Sequence, residues 1–126
     1  MTIYLTPVEV LLMHRVLISR YGGAQGLRDP GALEAALYRS QSGYYDDVIQ
    51  QAAALWESVT KNHPFIDGNK RTGFAVTDSF LRLNGRRITA KSDTIWKFIT
   101  ILLEKNEFEY IKLEPWLRKN TEIIAV

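Results

Sequence analysis

One segment at the middle of the chain, residues 62–73, constrains the fold most, because two strongly helical runs meet there. It reads Asn-His-Pro-Phe-Ile-Asp-Gly-Asn-Lys-Arg-Thr-Gly. Pro64 cannot continue a helix and disfavours helical geometry at His63, so the imidazole is expected to project from a turn. The next helix is expected to begin around Gly68 and Asn69. The sequence therefore predicts a central helix–loop–helix with a histidine in its loop.

The same segment concentrates residue types that suit a phosphate ligand. It contains one of the two histidines of the chain, then a carboxylate, a glycine, an amide and two adjacent cations. A loop that leads into a helix N-terminus favours anions, because the first N–H groups have no internal partner and the helix dipole is positive there. A proton acceptor, a metal ligand and phosphate contacts thus lie within the nine residues 63–71.

Composition restricts the class of protein. The chain has 126 residues, of which 46% are hydrophobic, so one domain covering residues 1–126 with a full core is expected. There is no cysteine, which excludes a disulfide framework and a thiolate metal site. No apolar run approaches the ~20 residues that span a bilayer, and the N-terminus lacks the features of a signal peptide. We therefore expect a cytoplasmic protein without a membrane partner, and the net charge of +2 does not call for direct nucleic-acid binding.

Hydrophobic periodicity predicts about six helices and no convincing pair of alternating strands. The fold class expected from this pattern is all-α, a compact bundle around the central helix–loop–helix. The first helix is apolar over most of its circumference and is expected to be largely buried. The predicted helices cover residues 8–20, a stretch that begins at Pro30, and residues 46–61, 69–83, 92–104 and 113–119.

Three other features favour ordinary structural interpretations. His14, inside the first predicted helix, is interpreted as a core or surface histidine. The glycine-spaced residues 21–28 lack the Rossmann and P-loop spacings, which favours a plain connector. Arg86 and Arg87 follow a helix stop and are interpreted as solvated surface charge.

The motif His63-Pro64-Phe65-x-Asp67-Gly68-Asn69-Lys70-Arg71 resembles the signature loop of the Fic superfamily. Its Asn-Lys-Arg ending is similar to the Doc (death-on-curing) toxin branch. The resemblance covers most of the chain, since further stretches follow in the same order: Tyr21-Gly22-Gly23, Leu27-Arg28-Asp29-Pro30-Gly31, Phe80-Leu81-Arg82-Leu83-Asn84-Gly85 and Trp116-Leu117-Arg118.

This resemblance implies a compact Fic/Doc-like bundle and assigns roles to the loop residues. It makes His63 the general base that acts on a target hydroxyl. Asp67 is the implied ligand of a Mg2+ that bridges nucleotide phosphates. Gly68, Asn69 and Arg71 are implied to surround those phosphates.

The resemblance also implies a short flap at residues 41–46, from Gln41 to Asp46, that aligns the target segment by strand addition. The alternative is an ordinary turn between two helices with two packed tyrosines. Both interpretations remain open on the sequence.

Two departures from the AMP-transferring members bear on the reaction. Lys70 stands where those members usually have glycine, and Phe74 stands where they have a second arginine. The change moves positive charge along the loop, and Doc toxins share it. The resemblance therefore implies a protein kinase that transfers the γ-phosphate of ATP to a Ser/Thr hydroxyl, with a threonine of elongation factor Tu as the target, and so arrests translation.

The sequence leaves the regulation and two other functions open. Fic enzymes are often restrained by a Ser/Thr-x-x-x-Glu-Gly/Asn helix, but Thr100-x-x-x-Glu104 is followed here by Lys105. Restraint would then come from another chain, which fits a toxin with a Phd-like antitoxin. The first alternative function is a Fic-type protein AMP transferase on the same scaffold. The second is a catalytically silent helical interaction module.

Overall fold

The computed structural model describes residues 1–124, and this part of the chain is built mainly from helices. Its six helices are α1 (Pro7–Tyr21), α2 (Pro30–Arg39), α3 (Val48–Lys61), α4 (Asn69–Leu83), α5 (Ser92–Glu104) and α6 (Tyr110–Lys119). Two three-residue strands, β1 (Arg86–Ile88) and β2 (Thr121–Ile123), pair antiparallel. The expected all-α class with about six helices is confirmed. The small sheet was not predicted, because strands of three residues are too short to show alternation.

Local sequence explains where the first three helices begin. Thr6 and Glu9 form a capping box, in which the Glu9 N–H donates to the Thr6 hydroxyl at 3.3 Å and the Thr6 N–H donates to the Glu9 carboxylate at 2.9 Å. Asp29 and Asp47 cap α2 and α3 through carboxylate bonds of 3.1 and 2.9 Å to backbone N–H groups. Each cap satisfies a backbone donor that the helix itself leaves free.

Helix α3 lies at the centre of the molecule and contacts α2, α4 and α6. Ten of its 14 residues are buried, so it is the helix around which the others pack. Trp56 is fully buried among four aromatic rings whose centroids lie 5.5–6.2 Å away; they belong to Phe74, Phe98, Phe108 and Trp116. The central helix–loop–helix formed by α3 and α4 therefore has the position that the sequence predicted.

The expectation that α1 is largely buried was wrong. Its buried residues are Val10, His14 and Ile18, which recur every four positions and form one narrow stripe. The opposite side exposes apolar residues, with 54% of Leu12 and 58% of Val16 accessible to solvent. Hydrophobicity around the whole helix could not reveal that only one side meets α2 and α4.

Residues 41–46 form a non-helical loop without strand pairing. The ring of Tyr45 packs against Tyr110 at 5.6 Å, and its hydroxyl accepts a 2.8 Å bond from Arg39. Tyr44 is exposed. This arrangement corresponds to a turn with one packed tyrosine.

Across residues 1–124, none of the helices combines the length and the apolar character that a membrane crossing needs.

The aromatic environment of Trp56 predicts a large effect of truncation on stability. We expect Trp56→Ala to lower the free energy of unfolding by about 3–5 kcal/mol, because a fully buried ring leaves a cavity that its neighbours cannot fill. Ile111→Ala, at a position that is 70% exposed, should change it by less than about 0.5 kcal/mol. Urea unfolding monitored by circular dichroism measures both values. Equal losses for the two variants would contradict the central placement of Trp56.

Candidate active site

A cavity of about 690 Å³ opens at the junction of α1, the α3–α4 loop, the start of α4 and α5. All six residues that the sequence singled out line it: His63, Asp67, Gly68, Asn69, Lys70 and Arg71. This volume is within the range of pockets that hold small ligands. The structure thus brings the predicted base, carboxylate and cations to one concave site.

His63 is presented from a strained turn directly after α3. Its φ is +48°, in the left-handed region that residues other than glycine rarely adopt. Arg28 holds this turn, since its guanidinium donates to the carbonyl of His63 and, at 2.8 Å, to the carbonyl of Asn62. The imidazole of His63 is therefore exposed at the cavity, while hydrogen bonds from Arg28 restrain the backbone of the turn. The contact of Arg28 with this loop was not predicted from the sequence.

Phe65 anchors the next part of the loop in the core. It is 1% exposed, and residues 65 and 27 form an isolated antiparallel bridge. Two backbone bonds support the bridge, one from the Arg28 N–H to the Pro64 carbonyl at 2.8 Å and one from the Ile66 N–H to the Gly26 carbonyl at 3.1 Å. The loop is thus attached along its length to the segment between α1 and α2.

Asn69 is buried, and its side chain bonds the loop itself. The amide oxygen accepts from the Phe65 N–H at 3.0 Å, and the amide nitrogen donates to the Phe65 carbonyl at 2.9 Å. The same nitrogen lies 3.5 Å from His63 Nδ1. The side-chain amide therefore shapes the loop, and the group of Asn69 that stays available to a ligand is its backbone N–H.

The N-terminus of α4 forms one wall of the cavity. Gly68, the N-cap residue, has a φ of +77°, and the first intrahelical bond runs from the Thr72 N–H to the Gly68 carbonyl at 2.9 Å. The N–H groups of residues 69–71 precede that bond, so they have no acceptor within the helix. Together with the helix dipole, they make an anion-binding end.

Asp67 is held by backbone donors on both carboxylate oxygens. One oxygen accepts from the Ala24 N–H at 3.0 Å and the other from the Gly68 N–H at 2.9 Å. These bonds, the one from Ala24 first, lower the pKa of Asp67 below its ordinary value. The Gly-Gly-Ala sequence after α1 therefore joins α1 to α2, as expected of a connector, and also bonds a predicted site residue. The signal for this contact was its place among the stretches that resemble the Doc branch.

The carboxylate of Asp67 suits a magnesium ion. Each of its oxygens accepts one N–H and keeps a further lone pair for a cation. Residues 1–124 hold no cluster of three carboxylate, histidine or cysteine side chains with metal-binding geometry. Mg2+ usually takes one or two carboxylates and completes its octahedron with phosphates and waters, so a single carboxylate beside a phosphate site fits it.

Two cations stand at the start of α4 in different surroundings. Lys70 is exposed at the cavity. The guanidinium of Arg71 lies 3.9 Å from the ring centre of Tyr21 and 5.8 Å from that of Trp96. Stacking on aromatic faces limits the orientations of the guanidinium while its N–H groups stay free to donate. Tyr21 and Trp96 are cavity residues that periodicity alone could not indicate.

Phe74 takes part in core packing. Its ring lies 6.0 Å from Trp56 and 5.8 Å from Trp96, and it is half-buried. The position where AMP-transferring relatives usually have a second arginine therefore contributes an aromatic side chain to the packing behind the cavity.

Gly23 allows the close approach of the α1–α2 segment to Asp67, which yields a prediction. A Cβ at Gly23 would lie 2.7 Å from the Asp67 carboxylate, whereas a Cβ at Gly22 would meet nothing within 4 Å. Both glycines have positive φ, +113° and +90°. We expect Gly23→Ala to lower the free energy of unfolding by about 1–3 kcal/mol more than Gly22→Ala, because it adds a clash to the backbone strain. Thermal and urea unfolding measure the difference, and equal losses would mean that the contact with Asp67 is absent in solution.

Comparison with known proteins places this site in a family. The model of the Fic/DOC family matches residues 4–81, which is more than half of the chain. A protein named Toxin Doc from Mycolicibacterium smegmatis is 38% identical over 98 residues, 74% of this chain and 73% of the relative. A protein named Protein kinase doc from Escherichia phage P1 is 36% identical over 89 residues, 68% of this chain and 71% of the relative. By this match, which covers α1 to α3, most of α4 and the six predicted site residues, the chain belongs to the Fic/DOC family.

Proposed function

We propose that this protein is a Doc-like toxin of a toxin–antitoxin pair and acts as a protein kinase in the cytoplasm. It transfers the γ-phosphate of ATP to a Ser/Thr hydroxyl of a bacterial protein, with elongation factor Tu as the expected target, and so arrests translation. The observation that carries the proposal is the cavity in which His63, Asp67 and the cationic start of α4 face one space. The names of the two relatives, a toxin and a protein kinase, agree with it.

His63 is the proposed general base. The attacking hydroxyl oxygen forms a bond to the γ-phosphorus while the bond from that phosphorus to the β–γ bridging oxygen breaks, and ADP leaves. The hydroxyl proton passes to the imidazole, and histidine is the side chain that most often acts as a general base at neutral pH. Its exposed position on a restrained turn supports the role, because a protein substrate must reach it.

The start of α4 is the proposed phosphate site. The free N–H groups of residues 69–71, the Lys70 ammonium and the Arg71 guanidinium supply positive charge where the triphosphate carries negative charge. Asp67 is the residue that would hold Mg2+, and the bound ion would neutralise charge on the phosphates. The proposed contribution of Gly68 is its left-handed cap, which lets the helix start approach the ligand without a side chain.

The packing of Phe74 favours phosphate transfer over AMP transfer. An AMP transferase of this superfamily usually has an arginine at this position, and here a ring lies between two tryptophans. Of the cations that line the cavity, Lys70 and Arg71 are within the first turn of α4, and Lys61 is at the end of α3. The charge is therefore concentrated at the helix start, which supports a nucleotide orientation that exposes the γ-phosphate.

The proposed antitoxin would be a Phd-like protein that covers apolar surface on the toxin. Helix α1 offers such surface, since Val8, Leu12 and Val16 recur every four residues on its exposed side. A contiguous apolar row on a surface helix is typical of a protein–protein contact. The sequence between residues 100 and 105 lacks the full inhibitory motif, which agrees with restraint by a second chain.

Paired labelling of ATP tests the reaction. With purified elongation factor Tu as acceptor, label should move from the γ-phosphate and not from the α-phosphate. His63→Ala should reduce transfer about 10²–10⁴-fold, since that is the usual contribution of a positioned base. Label that arrives only from the α-phosphate would establish the AMP transferase instead. If neither label moves, and His63→Ala stays folded and retains toxicity, the catalytically silent interaction module becomes the better interpretation.

The charge of Lys70 gives a second test of the kinase. Lys70→Met keeps most of the length of the side chain and removes its charge, so γ-phosphate transfer should fall and the KM for ATP should rise by about tenfold. Lys61→Met is a matched control, because Lys61 also lines the cavity but lies at the end of α3 and away from the helix start. Lys70→Gly should weaken transfer as well and favour the AMP-transfer orientation. Unchanged kinetics in both Lys70 variants would remove the electrostatic reason for preferring the kinase.

A further inference from the structure

A buried histidine on α1 contacts the candidate active-site loop from behind. His14 is 3% exposed and shares the buried stripe of α1 with Val10 and Ile18. Its Nε2 lies 2.7 Å from the backbone carbonyl oxygen of Asp67. Since a carbonyl oxygen only accepts, Nε2 carries the hydrogen and donates it. A buried imidazole needs such a partner, because an unpaired polar group in the core is costly.

The same imidazole stacks on the anchor of the loop. Its ring centre lies 3.8 Å from that of Phe65, and the two ring planes differ by 5°. His14 therefore makes two separable contacts with the loop, an aromatic stack on Phe65 and a hydrogen bond to Asp67. The stack requires a ring, and the bond requires a donor, so substitutions can remove one contact at a time.

The hydrogen bond determines the orientation of the peptide group between Asp67 and Gly68. The carbonyl of this peptide points to His14, and its N–H points to the Asp67 carboxylate at 2.9 Å. Gly68 fits closely against α1, since a Cβ there would lie 2.8 Å from Ile18 and 3.7 Å from His14 Nε2. The carbonyl oxygen and the N–H of this peptide group can both keep their hydrogen bonds in one orientation only. A rotated peptide would remove the carboxylate of Asp67 from the Gly68 N–H.

We propose that His14 is a positioning residue for nucleotide binding: its N–H holds the Asp67–Gly68 peptide so that the Asp67 carboxylate and the start of α4 face the cavity together. This inference deepens the proposed function, because it concerns the same nucleotide site. It does not depend on which phosphate is transferred. The stack on Phe65 stabilises the core, whereas the hydrogen bond orients the Asp67–Gly68 peptide at the nucleotide site.

Three substitutions separate the two contacts. His14→Gln keeps a side-chain N–H donor without a ring, His14→Phe keeps a ring without a donor, and His14→Met keeps neither. Glutamine and methionine are similar in length and flexibility, so their difference reports the donor. Each variant is measured for its free energy of unfolding, for its dissociation constant for ATP with Mg2+ by calorimetry, and for KM and kcat in the transfer assay.

We expect the affinity for ATP to depend on whether residue 14 has a side-chain N–H donor. The dissociation constant and the KM for ATP should rise about tenfold in His14→Phe and His14→Met, and His14→Gln should recover most of that loss, since one buried hydrogen bond is worth about this factor. The free energy of unfolding should depend instead on whether an aromatic ring stacks on Phe65. His14→Phe should therefore be the most stable of the three variants. A residue that only supports the core would reduce the active fraction and leave the dissociation constant of the folded protein unchanged.

Amide signals in the free protein give a readout that needs no nucleotide. The N–H groups of Ala24 and Gly68 donate to the Asp67 carboxylate, so their chemical shifts and exchange rates report its position. Both should change in His14→Met and His14→Phe and return towards the wild-type values in His14→Gln. Wild-type amide signals and wild-type affinity in His14→Met would overturn the proposal, and so would equal losses in His14→Gln and His14→Met. If the wild type transfers no γ-phosphate, the proposed kinase fails, while the amide and binding data still decide the role of His14.

Discussion

The bonds between the Asn69 amide and the backbone of Phe65 determine the shape of the loop on which the site depends. They join the first residue of α4 to the backbone of Phe65, a residue that is 1% exposed and packs in the core. The chain between Phe65 and Asn69 is thereby held in one tight turn. His63 precedes this turn and Asp67 lies within it, so both side chains reach the cavity from a backbone with little freedom. Geometry of this kind keeps the His63 imidazole and the cationic start of α4 at a constant separation.

The electrostatics of the candidate site depend on which backbone N–H groups bond the Asp67 carboxylate and which have no acceptor in the helix. The N–H groups of Ala24 and Gly68 bond the Asp67 carboxylate and lower its pKa, so the group stays ionised to a lower pH than an ordinary aspartate. The N–H groups of residues 69–71 remain without a helical acceptor. A negative and a positive feature thus lie next to each other at the same helix start. That pairing suits a ligand in which an anion carries its own cation, as a nucleotide with magnesium does.

Helix α1 shows why apolarity and burial are different properties. One stripe, with His14 and Ile18, packs against the α3–α4 loop, and the other stripe, with Leu12 and Val16, is exposed. A sequence pattern reports that a helix is apolar on two sides. It does not report how many partners the fold provides, because that depends on the positions of α2 and α4 in space.

Short-range chemistry is what the sequence by itself determined. The capping box at Thr6, the interruption by Pro64 and the turn at Gly68 act within a few residues, so the helices and the central loop were predictable, as was the grouping of the six residues 63 and 67–71. Contacts between distant segments were decided only by the tertiary structure. Arg28 on the His63 turn, Ala24 on Asp67 and His14 on the Asp67 carbonyl join positions 35–53 residues apart. No local pattern encodes such pairs, because each forms only when the core around α3 has brought α1 and the following loop against α4.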